Sequence, residues 1–227
     1  MSRTVSRLSA CLLLAPALLA ASIAQAHQAG DIIVRAGAVT VDPREDSGDL
    51  KIGGAGVANT GATLDSDTQL GLNFVYMVTD KVGVELLAAT PFSHEVGVKG
   101  LGGGLDGKLA DIKHLPPTLS VVYYPLDKTS AFKPYVGVGL NYTTFFQEDL
   151  TSARKTQGFN SLELDDSFGL ALQVGADYML NDKWMVNAQV RYIDIETTAD
   201  VKLGNVPVKV DVDVDPWVYM VGLGYKF

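Results

Sequence analysis

From residue 31 to the carboxyl terminus the chain falls repeatedly into a two-residue rhythm of large apolar and small or polar side chains. The cleanest run sets Phe168, Leu170, Leu172, Val174, Ala176 and Tyr178 against Gly169, Ala171, Gln173, Gly175 and Asp177. Successive side chains of a strand point to opposite faces, so such a run predicts a strand with one greasy and one small or wet face. The same rhythm predicts strands over 31–41, 69–76, 82–88, 119–124, 135–145, 184–192 and 217–227. In the last of these Trp217, Tyr219, Val221, Leu223, Tyr225 and Phe227 share a face, with aromatic residues at both ends. Eleven residues suit a tilted strand crossing a bilayer, which takes about 9–11, and aromatic residues at both ends of the apolar face match membrane-interface girdles.

The segments between the strands differ sharply in length. Thr79-Asp80-Lys81, Pro125-Leu126-Asp127-Lys128 and Asn181-Asp182-Lys183 make short turns, and the first and last follow the related stretches Tyr76-Met77-Val78 and Tyr178-Met179-Leu180. Segments 42–67, 94–113, 147–166 and 194–215 are long and polar. The third has room for a helical turn, and the fourth reads as a hairpin turning at Gly204-Asn205. Three short turns alternating with four long excursions put both termini on one side, the asymmetry of outer-membrane barrels. A soluble sandwich would show the same alternation, but it has no need of Tyr or Trp at the ends of the apolar face. Backbone amides cannot stay unpaired in hydrocarbon, so an all-β membrane protein must close on itself. The expected class is therefore all-β: an eight-stranded antiparallel transmembrane up-and-down barrel with extended extracellular loops.

The amino-terminal residues supply the compartment. Arg3 and Arg7 precede an apolar run from Leu8 to Ile23 and then Ala24-Gln25-Ala26, the pattern of a cleaved secretory signal. This gives a leader over 1–26 and one barrel domain over 27–227, destined for the bacterial outer membrane. Cys11, the single cysteine, leaves with the leader, which removes disulfides and thiolate chemistry. Two of the 18 basic residues leave as well, against 26 acidic ones, so the exported chain is more acidic than the whole chain at −8. That balance excludes nucleic acid as a partner. The implied partners are outer-membrane lipid and lipopolysaccharide, with the terminal aromatic Phe227 as the ending that barrels present to their assembly machinery.

Candidate chemistry is sparse. Gly102-Gly103-Gly104-Leu105-Asp106-Gly107 spells GxGxxG, but no helical period follows, as a dinucleotide site requires. Asp211, Asp213 and Asp215 share a strand face that would suit a hard cation or simply a solvated extension, and no metal or cofactor is assigned. His27, His94 and His114 are scattered, and no Ser, His and acid grouping emerges, so no enzymatic activity is expected. An eight-stranded barrel is only just wide enough inside for its own side chains. Arg35, Asn73, Glu85, Gln173, Asp177, Asn187, Gln189 and Arg191 all face inward and would form a polar plug, with Arg35 and Arg191 paired to Glu85 and Asp177. Above it Leu87, Ala89 and Phe145 would line the lumen, with Leu101, Leu105 and Leu109 at its mouth.

Proline cannot donate to a ladder, yet Pro91 interrupts a good strand beside Phe92. Two readings follow, a local opening of the barrel wall or a bulge at the membrane rim. Tyr135-Val136-Gly137-Val138-Gly139, Ala88-Ala89-Thr90-Pro91-Phe92, the run from Asp106 through Pro116-Pro117-Thr118, and Asp213-Val214-Asp215-Pro216-Trp217 resemble the OmpW family of outer-membrane proteins. The resemblance covers essentially the whole of 27–227. It implies a narrow apolar channel open to the outside and blocked toward the periplasm. Small hydrophobic molecules would be taken up passively and leave sideways through a lateral gap at Pro91 and Phe92. The competing reading is a structural or adhesive barrel acting through its loops.

Overall fold

A computed structural model describes residues 27–126 and 130–227. The expected leader and the Asp127-Lys128 part of the second turn lie outside the described residues. Eight long strands build the membrane body: β1 (Ile32–Asp42), β2 (Asp67–Met77), β3 (Val82–Ala89), β4 (Thr118–Tyr123), β5 (Phe132–Leu150), β6 (Ser167–Met179), β7 (Trp184–Ile193) and β8 (Trp217–Lys226). Each pairs antiparallel with its sequence neighbours, and β1 pairs with β8 from Ile33↔Lys226 to Asp42↔Trp217, so the sheet closes. Closure leaves no edge strand to meet lipid with unpaired amides.

The predicted faces are the observed ones. Leu170, Leu172, Val174, Val221 and Leu223 project outward and are each more than half exposed, an arrangement that suits hydrocarbon contact and not water. Tyr76, Tyr123, Tyr178 and Trp184 ring the short-turn end, whereas Tyr142, Phe168 and Trp217 ring the other. Along β6 the ten steps from Phe168 to Tyr178 rise about 33 Å, which a strand tilt of about 40° reduces to roughly the 25 Å height of an outer-membrane apolar band. Backbones pack tightly at one level of the wall, where Gly37 faces Gly222. A Cβ on either glycine would run into the facing carbonyl, that of Val221 or Ala36.

The long segments are more ordered than loops. Gly and Asp density marks them as irregular in sequence, but a second alternating pattern, including Val96, Val98, Leu109, Ile112, Val201, Val208 and Val210, gives them a buried apolar face. Phe92–Lys99 and Gly107–Leu115 form a hairpin that pairs with the upper half of β5 on one side and with Gly61–Leu64 on the other. Glu196–Leu203 and Val206–Asp213 form the expected hairpin through Gly204. Phe159–Leu164, Leu50–Ile52, Ala55–Val57 and Asp46–Ser47 complete the second sheet, and the third segment holds the helical turn Ser152–Thr156. The GxGxxG letters are the tip of the first hairpin, where Asp106 accepts hydrogen bonds from the amides of Leu101 and Gly102. The two extracellular sheets face each other above the membrane and continue the barrel wall outward.

This topology predicts labelling. Cysteines placed at Gly103 and Asn205 should react with a membrane-impermeant maleimide on intact cells, and one at Asp182 only after the outer membrane is permeabilised. Labelling at Asp182 alone would invert the assignment.

Candidate functional site

Inward-facing positions at mid-barrel carry the charged residues, and the register brings them together. Arg35 is fully buried and donates to both carboxylate oxygens of Asp177 at 3.0 and 2.6 Å, to Glu85 at 3.1 Å, to Asn73 at 3.0 Å and to the Tyr124 hydroxyl at 2.7 Å. Arg191 donates to Glu85 at 2.6 Å and also contacts the Gln173 side-chain oxygen. Gln173 returns a bond to Glu85 at 2.8 Å, while Asn187 bridges Asp177 and Tyr135, and Tyr135 donates to Gln189 at 2.9 Å. Two guanidinium groups thus face two carboxylates, so burial leaves no net charge uncompensated. His27 adds a contact that the sequence spacing concealed: its Nε2 lies 3.5 Å from Asp177 and its ring packs edge-on against Tyr124. Beneath the network Ile33, Val75, Met77, Val122, Met179 and Met185 form a compact apolar floor toward the short-turn end.

Above the network the interior turns apolar again. Val39, Leu87, Ile193, Val218 and Met220 belong to a cluster that continues into the extracellular sheets, and Ala89 packs against it. The sheets enclose an apolar cavity of about 50 Å³ that Leu101, Leu109 and Phe145 help to line, while Leu105 packs against the same cluster at the hairpin tip. At its base Phe92 and Phe145 flank His94 and His114. The two imidazoles, scattered in sequence, stand 2.9 Å apart between their Nε2 atoms, because Phe92↔His114 and His94↔Ile112 are cross-strand pairs of one hairpin. Burial lowers both pKa values, and for His114 burial together with the neighbouring His94 brings the value to about 3.

Beside this base the wall is interrupted. The β3–β4 register runs from Val82↔Tyr123 to Leu87↔Thr118 and resumes only as Phe92↔His114 in the extracellular hairpin. Thr90 still donates to the Leu70 carbonyl of β2, so the nitrogen of the next residue, Pro91, faces away from β2 and carries no hydrogen. Across the interruption Pro116 and Pro117 also lack donors. Their carbonyls are taken by the Asn141 side chain at 3.1 and 3.2 Å, and that of Pro117 also by the Tyr142 amide at 3.1 Å. Phe92 itself is buried, whereas Pro91 lies exposed. Asn141, inward-facing on β5, thus gives partners to carbonyls beside the point where the β3–β4 ladder lapses.

The model of the OmpW family matches residues 28–227. The chain belongs to the OmpW family. It is 51% identical over 204 residues to Outer membrane protein W of Vibrio cholerae, covering 89% of this chain and 91% of that protein. The crystal structure of OprG from Pseudomonas aeruginosa superposes with a TM-score of 0.86 at 60% identity, covering 89% of this chain and 98% of that one. A more distant relative, 26% identical over 182 residues and covering 80% of this chain and 82% of its own length, is the dibenzothiophene metabolism operon protein PahQ of Pseudomonas aeruginosa. This OmpW-family chain is accordingly an outer-membrane β-barrel protein. Its acidic triplet is dispersed among other partners: Asp211 pairs with Lys51 at 2.9 Å, Asp215 accepts from the Tyr192 hydroxyl at 2.7 Å, and Asp213 is exposed.

Two outcomes follow for this OmpW-family barrel. Glu85→Ala leaves Arg191 without a carboxylate and takes one of the two from Arg35, so it should destabilise the folded barrel by about 3–5 kcal/mol in urea titrations in lipid, with Glu85→Gln costing less. The histidine pair sets an acid limit. Imidazoles with folded pKa values below the ordinary 6.5 bind fewer protons than in the unfolded chain, so their stability contribution is full above that value and declines as pH falls toward about 3. Asp65 and Asp67 are the carboxylates that oppose this shift at His94. Amide protection in Phe92–Lys99 and Gly107–Leu115, taken relative to the intrinsic exchange rate at each pH, should fall between pH 7 and 4, and should do so much less in His114→Phe.

Proposed function

We propose that this protein is a passive conduit for small hydrophobic molecules, which enter from outside between the extracellular sheets and leave sideways into the membrane at Pro91 and Phe92. The observation that carries the reading is the interrupted β3–β4 ladder at the level of the apolar cavity. Straight passage is opposed by the Arg35, Glu85, Asp177 and Arg191 network, whose opening would strand buried charges at a cost of several kcal/mol. Sideways exit meets no such barrier, because proline removes the donors and Asn141 holds the carbonyls. The name of PahQ, from an operon for a fused aromatic sulfur heterocycle, agrees with an apolar cargo. A benzene-sized guest occupies a cavity of about 150 Å³, so transit requires the extracellular hairpins to spread transiently. Phe227, more than half exposed at the short-turn end, acts earlier, as the signal read by the assembly machinery, and the surrounding lipid and lipopolysaccharide are the partners of the finished barrel.

Replacing Pro91 by alanine tests the exit. The new amide faces away from β2 and restores one donor, worth about 0.5–1.5 kcal/mol when paired, so stability should hold or rise. Uptake of a small apolar solute into lipopolysaccharide-containing vesicles should fall severalfold. A folded Pro91→Ala barrel that passes the solute at the parental rate leaves Pro91 a rim bulge. An adhesive barrel would be equally indifferent to the change, and only its binding to surfaces would depend on the loops.

A further inference from the structure

The polar atoms facing the apolar cavity can be accounted for completely. Of the side chains that line it, only His94, His114 and Thr197 carry hydrogen-bonding groups. The Thr197 hydroxyl is spent on the Asp165 carbonyl at 2.7 Å. His94 Nδ1 lies 2.6 Å from the Asp65 backbone carbonyl, and a carbonyl only accepts, so that nitrogen carries the proton. In a neutral ring His94 Nε2 is then a lone pair. At 2.9 Å from it, His114 Nε2 has to be the donor. The chain of constraints ends at His114 Nδ1, which is left as a bare acceptor, is buried, and has no hydrogen-bond partner among the described residues. Desolvation keeps both rings neutral at pH 7, so the tautomer assignment holds there.

We infer that His114 Nδ1 is the recognition point of the cavity, selecting small apolar molecules that carry one hydrogen-bond donor, such as a phenol, an indole or a short alcohol, over hydrocarbons and acceptor-only solutes of the same size. Phe92 and Phe145 flank the imidazole at 5.5 and 5.8 Å between ring centroids, so a guest admitted when the extracellular hairpins spread meets an aromatic surround at this nitrogen. A buried acceptor without a donor is costly, and a hydroxylated guest supplies the missing partner whereas toluene does not. Selection is for donors specifically, because the Asp65 carbonyl fixes the direction of the whole relay. This assignment rests on the conduit reading for its biological meaning, although the site itself is a matter of binding.

The test uses the full-length barrel in nanodiscs with ¹⁵N-labelled histidine. At pH 7 the imidazole nitrogen spectrum, assigned with His94→Phe and His114→Phe, should show His114 protonated at Nε2 and unprotonated at Nδ1. Phenol, toluene and benzonitrile then serve as near-isosteric donor, apolar and acceptor probes. After correction for partitioning into empty nanodiscs, phenol should bind about fivefold tighter than toluene, the worth of one neutral hydrogen bond, and should shift the His114 Nδ1 resonance. Benzonitrile should gain nothing. In His114→Phe the phenol advantage should vanish with toluene binding retained, and in His94→Phe, where the tautomer is no longer fixed, phenol should lose its advantage over benzonitrile. A protonated His114 Nδ1 in the parent protein, or equal binding of phenol and toluene, overturns the assignment without needing either variant to fold. Uptake into vesicles is measured in parallel. If the barrel speeds neither solute, the conduit reading fails while the binding ratio still decides the recognition site, and if both pass equally fast the conduit stands and the selectivity does not.

Discussion

Every amide and carbonyl of a strand in hydrocarbon needs a partner from its neighbour, and the rest of this structure follows from that requirement. It closes the sheet at β1 and β8, and with eight strands it leaves an interior that side chains must fill. It also dictates where the wall can be interrupted. Between β3 and β4 the ladder lapses only at the outer rim, where Pro91, Pro116 and Pro117 have no hydrogens to orphan and where Asn141 of β5 takes the carbonyls of Pro116 and Pro117. The interruption is therefore built from residue types that make it cheap.

Interior chemistry is layered along the barrel axis. An apolar floor, a neutralised four-charge network and an apolar upper chamber succeed one another within the span of a strand. The middle layer is rigid because each guanidinium is held by partners on several strands, and buried pairs of this kind are stable only when every charge is answered. The cavity of the upper layer is lined almost wholly by apolar side chains, whose contacts resist separation without direction and so tolerate rearrangement.

Most of the barrel was legible from period-two patterning, because outward faces must be apolar and inward faces small or polar regardless of tertiary detail. The Arg35, Glu85, Asp177 and Arg191 network was legible too, since four charges on the inner face of a narrow tube have nowhere else to go. The extracellular sheets were obscured by their own glycines and aspartates, which mark turns at the tips while Val96, Leu109, Val201 and Val210 between them quietly alternate. The His94–His114 contact was invisible because it depends on hairpin register: a shift of one residue in the pairing of Phe92–Lys99 with Gly107–Leu115 would turn one ring out to solvent. His27 could not be placed because it precedes the first strand, and only the closed barrel brings Asp177 above it.

The charged layer also bears on how the molecule comes into being. Arg35 is contributed by β1, Asn73 by β2, Glu85 by β3, Asp177 by β6 and Arg191 by β7. None of the observed ion pairs joins strands of one hairpin: Arg35 of β1 reaches Glu85 of β3 and Asp177 of β6, and Arg191 of β7 reaches Glu85 of β3, so an open sheet entering the bilayer would carry these charges apart from their partners on the face that has yet to be enclosed. Closure is thereby the step that answers the buried charges. The half-made barrel is penalised by the same ions that, once the first and last strands meet, lie locked at its centre.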